Sequence, residues 1–130
     1  MSLGRILVVE DEPGLLRLLV RYLTRLGYEA VAAACASEAL EWFRADPAGF
    51  AAALTDLSLP DMRGEDLVVR LRELNPALAV LVASGSPSAL AQHPALEGAR
   101  TASLEKPFTP RMLADALDEL LGASGGPQSS

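Results

Sequence analysis

Residues 5–12 read Arg5-Ile6-Leu7-Val8-Val9-Glu10-Asp11-Glu12, an apolar run that stops abruptly at acids. Four consecutive aliphatic residues without alternation are the pattern of a strand buried on both faces, as in a parallel sheet. Immediately afterwards the period changes. From Pro13, Leu15, Leu16, Leu19, Leu23 and Leu26 recur at helical spacing, and Gly27 stands where a helix C-terminus favours glycine. One strand, an acidic turn and one helix are thereby defined.

The rest of the chain repeats that alternation. Tyr28 to Ala32 reads as a second strand, and Ser37 opens a helix that carries Ala39, Leu40 and Phe43 on one face and ends near Pro47. Phe50 to Thr55 is a third strand ending at Asp56, followed by a loop to Gly64. Glu65 to Leu74 is a helix with Leu67, Val68, Leu71 and Leu74 inward, halted by Asn75-Pro76. Leu78 to Ala83 is the plainest buried strand. Ser84 to Gly98 holds two prolines and a weak helical turn or two, Thr101 to Leu104 is a short strand, and Thr109-Pro110 opens a last helix through Leu121. Five strand–helix units imply an α/β fold, a doubly wound parallel sheet with five helices on its two faces. The Gly-, Ser- and Pro-rich residues 122–130 have no apolar face, so the domain is expected to span 1–121 with 122–130 as a flexible tail or linker.

Composition narrows the class. The chain has 130 residues, half of them hydrophobic, which suits one domain with a real core. Seventeen acidic against eleven basic residues give a net charge of −6, the wrong sign for gripping nucleic acid. The single Cys35 excludes an intramolecular disulfide and fits a reducing compartment. No apolar run approaches the roughly 20 residues of a membrane span, and no charged-then-apolar leader is present. A cytoplasmic domain without membrane or nucleic-acid contact is the expectation.

In open parallel sheets, sites form at the carboxyl ends of the strands. The residues there are Glu10 and Asp11, Asp56, Ser84 and Lys106. Three carboxylates at one sheet edge repel one another unless one is protonated or a cation sits among them. Oxygen-only ligands favour magnesium over zinc, which would want His or Cys. Lys106 is the only lysine, beside ten arginines, and a compact ammonium suits a phosphoryl oxygen. These are parts for moving a phosphoryl group onto a carboxylate, with Asp56, alone at a central strand end, as the nucleophile. No glycine-rich nucleotide loop is present, so the donor must bring its own activated phosphate. A dinucleotide binder would need Gly-x-Gly-x-x-Gly where Glu10-Asp11-Glu12-Pro13 stands. An aspartyl phosphatase would place a second aspartate two residues after the first, where Ser58 stands.

With Ile6 to Glu12, Leu54-Thr55-Asp56-Leu57-Ser58-Leu59-Pro60-Asp61-Met62-Arg63-Gly64, Ser84-Gly85 and Lys106-Pro107-Phe108 in this order, the chain resembles a receiver domain of bacterial two-component signalling over residues 5 to about 121. The resemblance implies a flavodoxin-like strand order 2-1-3-4-5. It also implies phosphorylation of Asp56 by a histidine kinase or phosphotransfer protein. It makes Asp11 and Asp56 direct Mg2+ ligands, with the backbone carbonyl of Ser58 as a third and Glu10 reaching the metal through water. Ser84 would be the switch hydroxyl, Lys106 the partner of the phosphoryl group, and Lys106-Pro107 a cis peptide. The family often places Tyr or Phe three residues before the lysine; here Ser103 stands there, so no ring can swing into the space Ser84 vacates. The domain is expected to be a monomer or weak dimer. Ser84-Gly85 and Lys106 to Pro110 resemble receivers of hybrid sensor kinases, and a scaffold that takes no phosphate is the remaining alternative. Cys35 is expected to be a packed residue, His93 a surface residue and Trp42 a partly buried packing residue.

Overall fold

A computed structural model describes residues 3–85 and 100–122. The five expected strands are present as β1 (Arg5–Val9), β2 (Glu29–Ala33), β3 (Ala52–Asp56), β4 (Ala79–Ser84) and β5 (Thr101–Glu105). They form one parallel sheet in the order β2-β1-β3-β4-β5. Among the described residues, four α-helices cover it: α1 (Pro13–Leu26), α2 (Ala36–Ala45), α3 (Gly64–Leu74) and α4 (Pro110–Gly122). Five helices were expected; the segment expected to carry the other, with Pro87, His93 and Pro94, lies outside the described residues beyond Gly85, as does the expected tail beyond Gly122.

Strand alternation divides the apolar residues between two cores. Leu7, Val9, Ala53, Val80 and Val82 face α2 and α3, where they meet Phe43, Leu67 and Leu71. Ile6, Val8, Leu54 and Leu81 face α1 and α4, where they meet Leu19, Leu23, Leu113 and Leu117. The central strands β1, β3 and β4 are apolar at successive positions because both faces are covered. Alanine-rich β3 is a strand despite weak intrinsic propensity because small side chains fit between two crowded layers.

Local chemistry sets the helix ends. The Glu12 carboxylate accepts the Leu15 N–H at 2.6 Å, capping α1. Gly27 closes it with φ 101°, and the Gly27 and Tyr28 N–H groups return to the carbonyls of Thr24 and Leu23. Thr109 caps α4 by accepting the Met112 N–H at 3.1 Å.

Two packing expectations are corrected. Trp42 is not partly buried but 51% exposed: Leu40 and Phe43 take the sheet-facing positions of α2, and position 42 falls round the far edge. Leu74 is not inward; as the last residue of α3 it lines an open groove with Leu40, Arg44 and Arg70. In α1, Leu15, Leu16 and Leu26 are half-buried flanks, and Leu19 and Leu23 alone among the expected leucines reach the interior.

Candidate functional site

Parallel register brings the strand ends to one edge. Val9 is opposite Ala33 and Thr55, Asp56 opposite Ala83, and Ser84 opposite Glu105. The next residues off β1 are therefore delivered beside the last residue of β3. Glu10 is 3% exposed and held by its N–H to the Ala33 carbonyl and by its own Oε2, which accepts the Glu12 N–H at 3.1 Å. Asp56 is 8% exposed, and its Oδ1 accepts the Ser58 N–H at 3.3 Å. Asp11 is exposed at the rim. One carboxylate oxygen from each of Glu10, Asp11 and Asp56 lies within 4.8 Å of the others.

Lys106 enters from the opposite side. Its N–H donates to the Ser84 carbonyl at 2.8 Å, extending the β4–β5 ladder, and the Lys106-Pro107 peptide is cis, as expected. The side chain turns into the acid cluster, where Nζ donates to Asp56 Oδ2 at 3.1 Å and to Glu10 Oε1 at 3.2 Å. One cation thus bridges two nearly buried carboxylates. Burial pushes the Glu10 carboxyl above its ordinary value; the Glu12 amide and Lys106 pull against this, and the negative charge of Asp56 adds to it. For Lys106, burial alone acts downward. The hydrogen bond to Asp56 and the fields of Glu10 and Asp56 outweigh it and hold the ammonium above its ordinary value.

The residues suit a small hard cation. The donors are carboxylate oxygens, with no His or Cys among them, and they lie within 4.8 Å of one another, close enough to share one small ion. Asp11 faces solvent, leaving room for the waters magnesium retains.

Ser84 is buried at the end of β4, beside the strand that supplies Lys106. Ser58 is exposed, two residues past Asp56, where an antiparallel bridge to Arg63 folds the β3–α3 loop back on itself. Ser103 is exposed on β5. Cys35 is half-buried at the N-cap of α2, in contact with Asp61.

Two residues of the quoted Leu54 to Gly64 motif had no individual role assigned to them from the sequence. Gly64 opens α3 directly against the Asp56 main chain: a Cβ there would collide with the Asp56 carbonyl oxygen and approach Leu57 Cα to 2.6 Å. Asp61 accepts N–H groups from α2, a contact across 24 and 25 residues that no local pattern announces.

Comparison with known proteins places the chain in a family. A family model described as the response regulator receiver domain matches residues 6–118. The chain is 33% identical over 121 residues to the response regulator receiver protein CpdR of Brucella abortus, covering 92% of this chain and 98% of that protein. It is 32% identical to the chemotaxis protein CheY1 of Helicobacter pylori, with the same coverage of each. A CheY-like response regulator receiver domain protein from Methanospirillum hungatei superposes with a TM-score of 0.83 at 31% identity, covering 95% of this chain and 98% of that one.

Proposed function

Since the chain belongs to the receiver domain family of two-component response regulators, a family of regulatory domains that take phosphate from histidine kinases or phosphotransfer proteins, we propose that Asp56 is its phosphoryl acceptor. The observation that carries this is the double contact of Lys106 Nζ with Asp56 Oδ2 and Glu10 Oε1. A phosphoryl group arriving on Asp56 adds negative charge where an ammonium already stands.

In the transfer, an Asp56 carboxylate oxygen forms the new O–P bond as the N–P bond of a donor phosphohistidine breaks. The imidazole leaves with the bonding pair and takes up a proton from solvent. Asp56 is presented in line by β3, held by the Ser58 N–H and backed by the Gly64 contact. Lys106 swings its contact from the bare carboxylate to a phosphoryl oxygen with no long movement, since its main chain is anchored to the Ser84 carbonyl and its ammonium already touches Asp56. The Ser84 hydroxyl donates to a second phosphoryl oxygen. Asp11, Asp56 and the Ser58 carbonyl would hold Mg2+, and Glu10 would reach it through water. When bound, the ion offsets the charge that accumulates on the phosphoryl oxygens in the transition state. The same residues with an attacking water would support hydrolysis of the aspartyl phosphate by the domain itself.

The donor protein docks beside Lys106. A groove of about 440 Å³ runs from Lys106 between α1 and the segment joining β5 to α4, lined by Leu15, Leu18, Tyr22, Pro107 and Phe108. Lys106 belongs to both the groove and the acid cluster, so a helix seated in this apolar channel holds its phosphohistidine next to Asp56. The receiver unit spans 1–121, with 122–130 as tail or linker, and acts in the cytoplasm as a monomer or weak dimer without contacting nucleic acid. No helix among the described residues is long and apolar enough to cross a membrane.

The test is incubation with Mg2+ and a small acyl phosphate. The proposal expects uptake of one hydroxylamine-labile phosphate per chain, abolished by a chelator. A protein that stays unmodified at saturating donor and Mg2+ is a scaffold and not a receiver.

A further inference from the structure

The loop from Leu57 to Arg63 carries Ser58, whose carbonyl the proposed metal site requires. Its two ends are held by main-chain bonds. The Leu57 N–H reaches the Ala83 carbonyl at 3.2 Å, the Gly64 N–H returns to the Leu57 carbonyl at 2.9 Å, and Ser58 bridges to Arg63. Asp61 is different. Its Oδ1 accepts the Ala36 N–H and its Oδ2 the Ser37 N–H, each at 2.9 Å, so both oxygens of one carboxylate are committed to a helix on another part of the chain.

Those amides are the first of α2 and have no partner within the helix. The residue at the N-cap, Cys35, makes no capping bond of its own, although its backbone is extended as an N-cap requires. A serine or aspartate there would have capped α2 locally. Instead the cap is supplied from the phospho-acceptor loop, and the Cys35 thiol also leans on Asp61. The N–H donors of Ser37 and Ala36 hold the Asp61 carboxyl below its ordinary value, so it stays ionised in that role. The α2 end of this clamp is rigid, because Ala36, Ala39, Leu40 and Phe43 are all buried in the core.

We infer that Asp61 is a positioning residue for the phospho-acceptor site: by clamping the β3–α3 loop to the N-terminus of α2, it holds the backbone at Ser58 where the metal ion needs it. The inference rests on the magnesium-dependent reading of the Asp56 pocket. Its competitor is that Asp61 merely caps α2.

Two variants separate these. Asp61→Ala removes both the cap and the clamp. Cys35→Ser combined with Asp61→Ala gives α2 a local cap and leaves the loop unclamped, with Cys35→Ser alone as control. Three quantities are read: melting temperature without metal, Mg2+ affinity by calorimetry, and metal-free amide exchange at Ser58 and Leu59 compared with Ala39 to Phe43. The clamp predicts that Asp61→Ala weakens Mg2+ binding by about tenfold, the scale seen when a ligand's supporting group is lost. It also predicts that the double variant regains melting temperature but not affinity. Exchange should quicken at Ser58 and Leu59 in both, while Ala39 to Phe43 keep their protection. Unchanged Mg2+ affinity in Asp61→Ala, or faster exchange confined to α2, would reduce Asp61 to a helix cap. So would recovery of affinity in the double variant. If the unaltered protein itself ignores Mg2+, the magnesium-dependent reading fails and this role falls with it; wild-type binding with an indifferent Asp61→Ala overturns the clamp alone.

Discussion

Replacing Lys106 with methionine keeps an unbranched stem of similar reach and deletes the charge that bridges Glu10 and Asp56. The ammonium lies 3.1 Å and 3.2 Å from two carboxylates whose side chains are 10% and 4% exposed, while its own side chain is 24% exposed. Removing one partner of a fully buried ion pair costs about 3–5 kcal/mol, and an exposed pair is worth about 0–1 kcal/mol. The geometry here lies between, which gives about 2 kcal/mol without metal at pH 7–8. For a domain of this size that corresponds to roughly 6–10 °C in melting temperature.

The pH dependence has a definite sign. Glu10 is raised above its ordinary 4.5 by burial, so the folded protein binds that proton more tightly than the unfolded chain. The stability it contributes is fully present below 4.5 and is lost as pH rises through the folded value. Lys106 opposes that loss, and the methionine variant no longer does. The variant's deficit should therefore be largest at pH 7–8 and shrink as pH falls toward 4.5. The stability tied to the raised value of Lys106 is fully present below its ordinary 10.5 and is lost only as pH rises above it, so it adds no slope in this window. Millimolar Mg2+ should rescue the variant more than the parent, because the ion no longer competes with a resident cation. Chelator-treated melting curves between pH 4.5 and 8, with and without Mg2+, measure all of this. A deficit of constant size across that range, or none, would show that Lys106 does not balance the acid cluster.

Gly64→Ala should destabilise by about 1–3 kcal/mol, as overpacking does, and should slow phosphate uptake, since the added methyl meets the Asp56 carbonyl and Leu57 Cα; thermal melts and initial labelling rates measure both. Leu18→Glu places a charge in the groove beside Lys106 at a position already 37% exposed. Stability and labelling by a small acyl phosphate should be unchanged, while transfer from a phosphohistidine protein falls; equal loss with both donors would remove the groove from the docking account. Phe43→Ala, at a residue with no exposed surface and a ring 5.4 Å from that of Phe50, should cost about 3–5 kcal/mol in denaturant unfolding.

The sheet and its acidic edge were legible because their signals are local. Unbroken apolar runs mark doubly covered strands, and the chemistry sits one or two residues beyond each run, so Glu10, Asp56, Ser84 and Lys106 stand where the strands end. Boundaries moved by a residue or two where the ladder continued past the apolar run: β3 includes Asp56 and β4 includes Ser84, since their main chains still pair with Ala83 and Glu105. Side-chain direction at element edges was not legible. Trp42 is as apolar as Leu40 and Phe43, yet α2 is rolled so that those two take the core. Leu74 continues the periodicity of α3 at a helix end that lines open groove. Asp61 was hidden for a different reason: capping is usually read within three residues of the helix, and this carboxylate arrives from 24 and 25 residues away. An N-cap cysteine with no capping bond of its own was the one hint available.

The central claim is that Asp56 takes the phosphoryl group. It is tested most directly by phosphorylating the protein in Mg2+, reducing the acyl phosphate with borohydride, and locating the modified residue by peptide mass mapping, with Asp56→Asn in parallel. The account predicts a single site, Asp56, converted to homoserine in the parent protein, and no labelling in a folded Asp56→Asn variant. Modification at Asp11 or Glu10 in the parent, or stoichiometric labelling of the Asn variant, would contradict it.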